Sequence, residues 1–435
     1  MKIAKETQCA LIISAALLLA SGACQAQAEQ RAKKTSEPAT TTPESVGFSS
    51  ERLGRLHAAM QQEVDQKHLA GVVTLLARHG KVAEMKAYGK KDLASGAPMT
   101  TDTIFRIFSM TKVVTGVAMM ILYEQGKWRP EDPISKYIPE FAHLKVFKGV
   151  DANGKMIVEE PVHPPTMHEL MSHTAGFSYG IFGDGPVDKM YQGAGVMASK
   201  NLQEMIDKLA NIPLLYQPGT KWVYSVSMDV QGYIIEKISG QSLPDFMNDH
   251  IFAPLRMNDS GFFVPTEKWN RFATLYGEDS RGALQEATPA PSLGLGDYKS
   301  QPTMPSGGGG MVSTAQDYAR FLAMLANGGA LEGVRLLARK TVEFMTADHL
   351  GSIPGAETLA GPGYGFGLGF AVRLADGIAA TPGSAGQYYW GGIAGTTFWV
   401  DPREQLFAVM MIQAPGQREY YRALFRNLVY ASLAD

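Results

Sequence analysis

The sequence predicts an α/β architecture of the α+β kind, an antiparallel sheet built from both chain ends and flanked by helices, with a mostly helical subdomain inserted between them. Three observations carry this. Strand patterns occur at 71–77 and 82–88, near the start of the folded region. They return at 366–373, 396–400 and 406–412, near its end. Between about 106 and 300 the periodicity is helical or absent.

The chain has 435 residues, 45% hydrophobic and 19% charged, with a formal net charge of -2. That suits a globular domain with a sizeable core, and offers neither nucleic acid nor an anionic membrane a basic surface. Met1 to Ala28 read as an export signal: Lys2 and Lys5, an apolar run over 10–20, and Ala26-Gln27-Ala28 as a cleavage site. The expectation is a periplasmic or secreted protein. Cys24 offers an alternative as a lipidated N-terminus, although Ser21 stands where a branched apolar residue is usual. Cys9 and Cys24 are the only cysteines, so cleavage after Ala28 leaves no disulfide, no thiol nucleophile and no cysteine-ligated zinc. No later stretch approaches the roughly 18 apolar residues of a transmembrane segment.

Residues 29–45 are rich in Thr, Pro, Glu and Lys and read as a disordered linker; the domain proper is expected over 46–435, its α/β part about 46–105 and 301–435. Residues 49–67 place Leu53, Leu56, Met60 and Val64 on one helical face. His79-Gly80 makes a hairpin of the first two strands. Thr166 with Glu169, and Thr314 with Asp317, have the spacing of helix caps, and 201–209 and 228–238 are further helices. Ser306 to Gly310 reads as a flexible turn, and 418–432 as a closing helix. The loops 176–200 and 261–300 are candidates for a substrate mouth.

Ser109 and Lys112 form the chain's only Ser-x-x-Lys, at the head of a helical pattern over 113–126. Residues i and i+3 share a helix face, so an ammonium would lie beside the hydroxyl, with the helix N-terminus adding positive potential. This suits nucleophilic serine catalysis, yet a capping serine and a solvated lysine explain the bare motif equally well. Tyr224, in Lys221-Trp222-Val223-Tyr224-Ser225, precedes the helix near Met228. A tyrosine there can deprotonate a serine where a lysine holds its phenolate, although most tyrosines are structural. Trp390-Gly391-Gly392-Ile393 leads into a strand, where glycines admit a substrate against the backbone and an N–H could serve an oxyanion; a glycine-rich bulge is the plain alternative.

Together these stretches resemble the serine hydrolases of the β-lactamase and penicillin-binding superfamily, most nearly the family VIII carboxylesterases, which share the class C β-lactamase fold. The resemblance runs from about Thr42 to the C-terminus and includes LMSHTAG (170–176), QPGTKW (217–222), 306–314 and 398–402. It implies Ser109 as nucleophile and Lys112 with Tyr224 as base and proton shuttle. The backbone N–H groups of Ser109 and Ile393 would form the oxyanion hole, and Trp390, Gly391 and Gly392 would bind substrate. The implied function is hydrolysis of small or short-acyl esters through an acyl-enzyme; no cofactor, metal or macromolecular partner is implied, and oligomeric state is not assigned.

Two departures bear on substrate. Val226 stands where the β-lactamases and peptidases carry Asn, and no Lys-Thr-Gly occurs, Trp390 bringing an indole instead of a cation. Loss of a charge-assisted hydrogen bond costs about 1.5–3 kcal/mol of binding to a carboxylate-bearing lactam or peptide, and nothing for a neutral ester. A β-lactamase or D-amino-acid-specific peptidase, and an inactive cell-wall-binding module, remain as alternatives. Gly176-Phe177-Ser178-Tyr179-Gly180 matches Gly-x-Ser-x-Gly, but lacks the preceding strand and following helix a nucleophile elbow needs. Ser178 is therefore not expected to be the nucleophile, and His173 is expected to be structural. The nine histidines show no metal-ligand spacing.

Overall fold

A computed structural model describes residues 40–287 and 296–434. The export-signal pattern and both cysteines lie outside the described residues. Everything below belongs to the compact unit Thr41–Asp435.

Helix α1 (Ser50–Asp65) starts where the Ser49 hydroxyl accepts the Arg52 N–H, and buries Leu53, Leu56 and Met60. It precedes the hairpin β1 (Gly71–Arg78) and β2 (Lys81–Gly89). His79 and Gly80 both have positive φ, 53° and 72°, the geometry of a turn whose twist matches the strands it joins. The C-terminal strands are β3 (Tyr364–Phe366), β4 (Ala371–Arg373), β5 (Tyr388–Gly391), β6 (Thr397–Asp401) and β7 (Leu406–Met411). The sheet order is β3-β4-β5-β6-β7-β1-β2, every pair antiparallel. The N-terminal hairpin is thus completed by the last strands, through β1 beside β7.

The core lies on both faces of this sheet. Residues of β1 alternate, with Val73 and Leu75 facing the larger core and Val72 and Leu76 packing with α1 and the closing helix α5 (Arg418–Ala431). On the larger side stand α2 (Thr111–Glu124), α3 (Ser227–Ser239) and α4 (Ala315–Ala326). Helix α2 is mostly apolar and almost wholly buried, as expected for a helix sandwiched between the sheet and other helices.

The chain leaves the sheet and returns through one small ladder. Phe105–Arg106 pairs antiparallel with Val312–Ser313. The long excursion between them holds α2, α3 and the short helices Met167–Met171, Pro186–Ala194 and Leu202–Leu209, with two hairpins, Val146–Val150 with Met156–Glu159 and Tyr276–Glu278 with Leu284–Glu286. The ladder's consequence is local: the residues just after Arg106 and just before Val312 are forced together.

Four expectations need correction. The stretch 366–373 is two strands rather than one, because Gly367 N–H donates to Phe370 O at 2.7 Å and Gly369 takes φ 105°, reversing the chain. Trp390 and Gly391 do lead into a strand, β6, but themselves lie within β5, a strand hidden in the sequence by the glycine and proline that precede it. The turn Ser306 to Gly310 is not flexible: Asp229 accepts the Ser306 hydroxyl at 2.5 Å and the Gly308 N–H at 3.1 Å, and all but Gly309 and Gly310 are buried. The predicted loop 176–200 contains the helix Pro186–Ala194, begun by proline and ended by Gly195 at φ 59°. No helix among the described residues is long and apolar enough to cross a membrane.

Candidate active site

Ser109 lies in a short 3-10 turn, Phe108–Met110, that leads directly into α2. Phe108 takes φ 43°, unusual for a residue with a side chain, and this bend redirects the backbone immediately before the serine. Ser109 is half-buried, on the wall of a cavity of about 140 Å³. One helical turn on, Lys112 is fully buried, its Nζ 3.3 Å from Ser109 Oγ. The ammonium also donates to Gly308 O at 2.6 Å and Tyr179 Oη at 3.4 Å. Gly308 is available because the ladder brings its turn opposite Ser109. A side chain there would put Cβ 2.5 Å from Asp229 Oδ2 and 2.9 Å from Tyr179 Oη, so only glycine fits.

Tyr224 sits three residues ahead of α3, in a segment fixed from both sides: Val223 N–H donates to His173 O and Val226 N–H to Ser178 O. Its ring lies 4.5 Å from Lys112 Nζ. Its hydroxyl receives the indole N–H of Trp390 at 3.4 Å. The predicted serine, tyrosine and tryptophan therefore meet on one cavity, with Gly391, Gly392 and Ile393 on its wall and Lys112 buried beside Ser109 and Tyr224.

Tyr179 is the site residue that sequence reading did not single out. It stacks on Tyr224 at 5.6 Å between ring centroids and lines the cavity. Burial, with the nearby Asp229, Tyr224 and Tyr298, pushes its pKa well above the ordinary phenol value, so it remains a neutral hydroxyl. Its only sequence signal was the Gly-x-Ser-x-Gly match, in which the neighbouring serine drew attention. Ser178 itself is buried, donates to Asp188 and accepts the Gly180 N–H, and is not on the cavity wall.

His173 is buried among Trp222, Tyr224 and Phe366, with Nδ1 3.0 Å from Ser225 Oγ. Burial and then the Lys112 charge hold its pKa well below the usual imidazole range, leaving a neutral ring behind the tyrosine. Asp229 is the buried carboxylate nearest this chemistry; burial raises its pKa, and the Lys112 charge opposes that rise. Apolar side chains of Phe108, Ile181, Met197 and Leu359 complete the cavity, and Arg418, Glu419 and Arg422 of α5 stand on one side. Among the described residues no group of three or more His, Cys, Asp or Glu is placed to hold a metal.

This arrangement puts a hydroxyl, two phenols and a glycine-lined strand end around one cavity, with a buried ammonium beside the hydroxyl. The family model described as Beta-lactamase matches residues 56–431. Esterase EstB of Burkholderia gladioli is 33% identical over 401 residues, spanning 87% of this chain and 95% of its own. A putative D-alanyl-D-alanine carboxypeptidase of Escherichia coli K12 is 27% identical over 402 residues, 86% of this chain and 85% of that one. Among solved structures, EstCE1, described as a hydrolase with promiscuous acyltransferase activity, superposes with a TM-score of 0.74 at 30% identity, over 87% of this chain and 98% of the other. The chain belongs to the β-lactamase family, and it is a serine hydrolase of the superfamily that the β-lactamases share with the penicillin-binding proteins.

Proposed function

We propose that the protein is a carboxylic ester hydrolase acting on small or short-acyl neutral esters through a Ser109 acyl-enzyme. The observation that carries this reading is the position of Lys112, a buried ammonium 3.3 Å from Ser109 Oγ and 4.5 Å from the Tyr224 ring. In this mechanism Lys112 holds Tyr224 as phenolate, aided by the Trp390 N–H. Tyr224 takes the Ser109 proton as Oγ attacks the ester carbonyl, and the oxyanion is met by the N–H groups of Ser109 and Ile393. Collapse expels the alcohol, which receives the proton from Tyr224. A water then gives its proton to Tyr224 and attacks the acyl carbon, and the bond to Ser109 Oγ breaks as Tyr224 returns that proton to the serine and the acid leaves.

The choice of ester over lactam rests on what stands around Tyr224. Trp390 lies on an aromatic cavity wall and Val226 is fully buried, and the resemblance gives these positions a cation and an amide in the lactam- and peptide-cleaving enzymes. A phenolate base needs no charged substrate group, so neutral esters fit without an unpaired carboxylate. The esterase relative is in keeping with this.

The carboxypeptidase relative supports a second reading, a D-amino-acid-specific peptidase or β-lactamase using the same serine. Turnover of p-nitrophenyl acetate and butyrate, measured beside a chromogenic cephalosporin, separates them. Ester kcat/KM at least roughly tenfold above lactam kcat/KM is expected from the missing charge-assisted contact. Equal or greater lactam turnover overturns the ester reading. An inactive binding module would leave Ser109 unlabelled by a fluorophosphonate.

A further inference from the structure

The turn between β5 and β6 is held by a cation that the mechanism above does not use. Gly392 N–H donates to Thr396 O at 2.8 Å and Gly395 N–H to Gly392 O at 3.0 Å. Among the described residues the Ile393 N–H has no backbone acceptor. A Cβ on Gly392 would lie 2.4 Å from Thr396 Oγ1 and 2.5 Å from Ile107 O, so this turn packs directly on the backbone two residues ahead of Ser109.

The Gly392 carbonyl and the Ile393 N–H belong to one peptide unit. A trans peptide is planar and aims C=O and N–H in opposite directions, so whatever fixes the carbonyl also fixes the amide. That carbonyl is gripped from α5: Arg422 Nη2 donates to Gly392 O at 2.5 Å and to Thr396 O at 3.1 Å. One guanidinium nitrogen thus ties both ends of the turn. A cation on the oxygen also draws electron density from the peptide nitrogen and strengthens its N–H as a donor.

The arrangement is costly in packing terms. Arg422 Nε is buried without a hydrogen-bond partner, and the ion partner of the guanidinium is Glu419, at 2.9 Å, whose side chain is 73% exposed. Burial pulls the guanidinium pKa below its ordinary value. An apolar side chain would fill this space without those penalties.

We propose that Arg422 is a positioning residue that orients and polarises the Gly392–Ile393 peptide, so that the Ile393 N–H is a preorganised oxyanion donor. The inference rests on the serine-esterase reading above. A competing role follows from its place on the cavity wall beside Arg418: direct contact with an anionic group on the substrate.

The test uses the full chain with Arg422→Gln and Arg422→Met, the second keeping buried length without charge in case the first does not fold. Arg422→Lys is the conservative rescue. Three quantities are measured: kcat and KM for p-nitrophenyl acetate, inhibition by an aryl boronic acid, and KM for the same ester carrying a carboxylate on its acyl chain. The boronic acid bonds to Ser109 Oγ and becomes a tetrahedral anion in the oxyanion site. Loss of one oxyanion donor costs about 100- to 1000-fold, so loss of its orientation is expected to lower kcat roughly 10- to 100-fold. KM should stay within about twofold, boronate affinity should weaken by a factor similar to that in kcat, and lysine should restore part of both. Unchanged kcat and boronate affinity in a folded variant overturns the proposal. A loss confined to KM for the anionic ester also overturns it, in favour of direct substrate binding. If the wild type is not labelled at Ser109 by a fluorophosphonate, the serine-esterase reading fails and takes this inference with it. If the wild type is labelled and Arg422→Gln is labelled as fast, only this inference fails.

Discussion

The indole N–H of Trp390 meets the hydroxyl of Tyr224 at 3.4 Å, joining two residues 166 positions apart in sequence. The indole's donor is spent on the tyrosine rather than offered to a substrate carboxylate. It also leaves an aromatic wall: the Tyr224 ring packs against Tyr179, Phe182, Trp222 and Trp390.

Trp390→Phe keeps the wall and removes the donor. One modest hydrogen bond contributes about 0.5–1.5 kcal/mol, so kcat should fall roughly 2- to 13-fold with KM little changed. Wild-type kcat in that variant would show that the indole N–H does not support the phenolate.

Ser109→Ala should abolish ester turnover and fluorophosphonate labelling. Ser178→Ala should keep most activity. Its cost falls on stability, about 1–3 kcal/mol, because the buried Asp188 loses a donor. Thermal melts and steady-state rates on both variants decide this; the reverse pattern would move the nucleophile to Ser178.

The two stacked tyrosines should separate by function. Under the proposed mechanism Tyr224→Phe removes the base and should lower kcat about 100- to 10,000-fold without unfolding the chain. Tyr179→Phe removes one long contact to Lys112, leaves its bond to Gly308 O intact, and should lower kcat by roughly tenfold or less. Equal losses would assign proton transfer to both phenols.

Asp317 gives the fold a pH dependence unconnected with the site. Burial at the start of α4 raises its carboxyl pKa to about 7, against hydrogen bonds from Asp259 N–H and Ser260. Asp259 adds to the rise, and Lys268 opposes it. The folded state therefore holds a proton that the unfolded chain releases near pH 3.9, so stability falls as pH rises between those values and levels off above about 7. Asp317→Asn keeps an acceptor for both donors and removes the titration. Its Tm relative to wild type should rise between pH 5 and 8; a constant difference would show that Asp317 titrates as an ordinary carboxyl.

Much of this was legible along the chain because it depends on neighbours in sequence. The caps at Ser49, Thr166, Asn201 and Thr314 each bond a backbone N–H within three residues. The first hairpin follows from His79-Gly80, and Ser109 with Lys112 share a face because helical period is local. The reading failed where chain direction is set by contact at a distance. The reversal at Gly367–Phe370 and the strand character of Tyr388–Gly391 depend on the strands beside them.

The amino-acid sequence by itself determined the fold class, the strand-forming ends, the helix starts and the chemically competent residue types. Only tertiary structure decided that Tyr179 joins the site, that Ser306 to Gly310 is pinned by Asp229, and that Arg422 grips the turn before β6. The physical reason is that a buried ammonium or carbonyl must find partners wherever packing supplies them, and packing is decided by the ladder between Phe105–Arg106 and Val312–Ser313 and by the docking of α5, neither of which has a local signature.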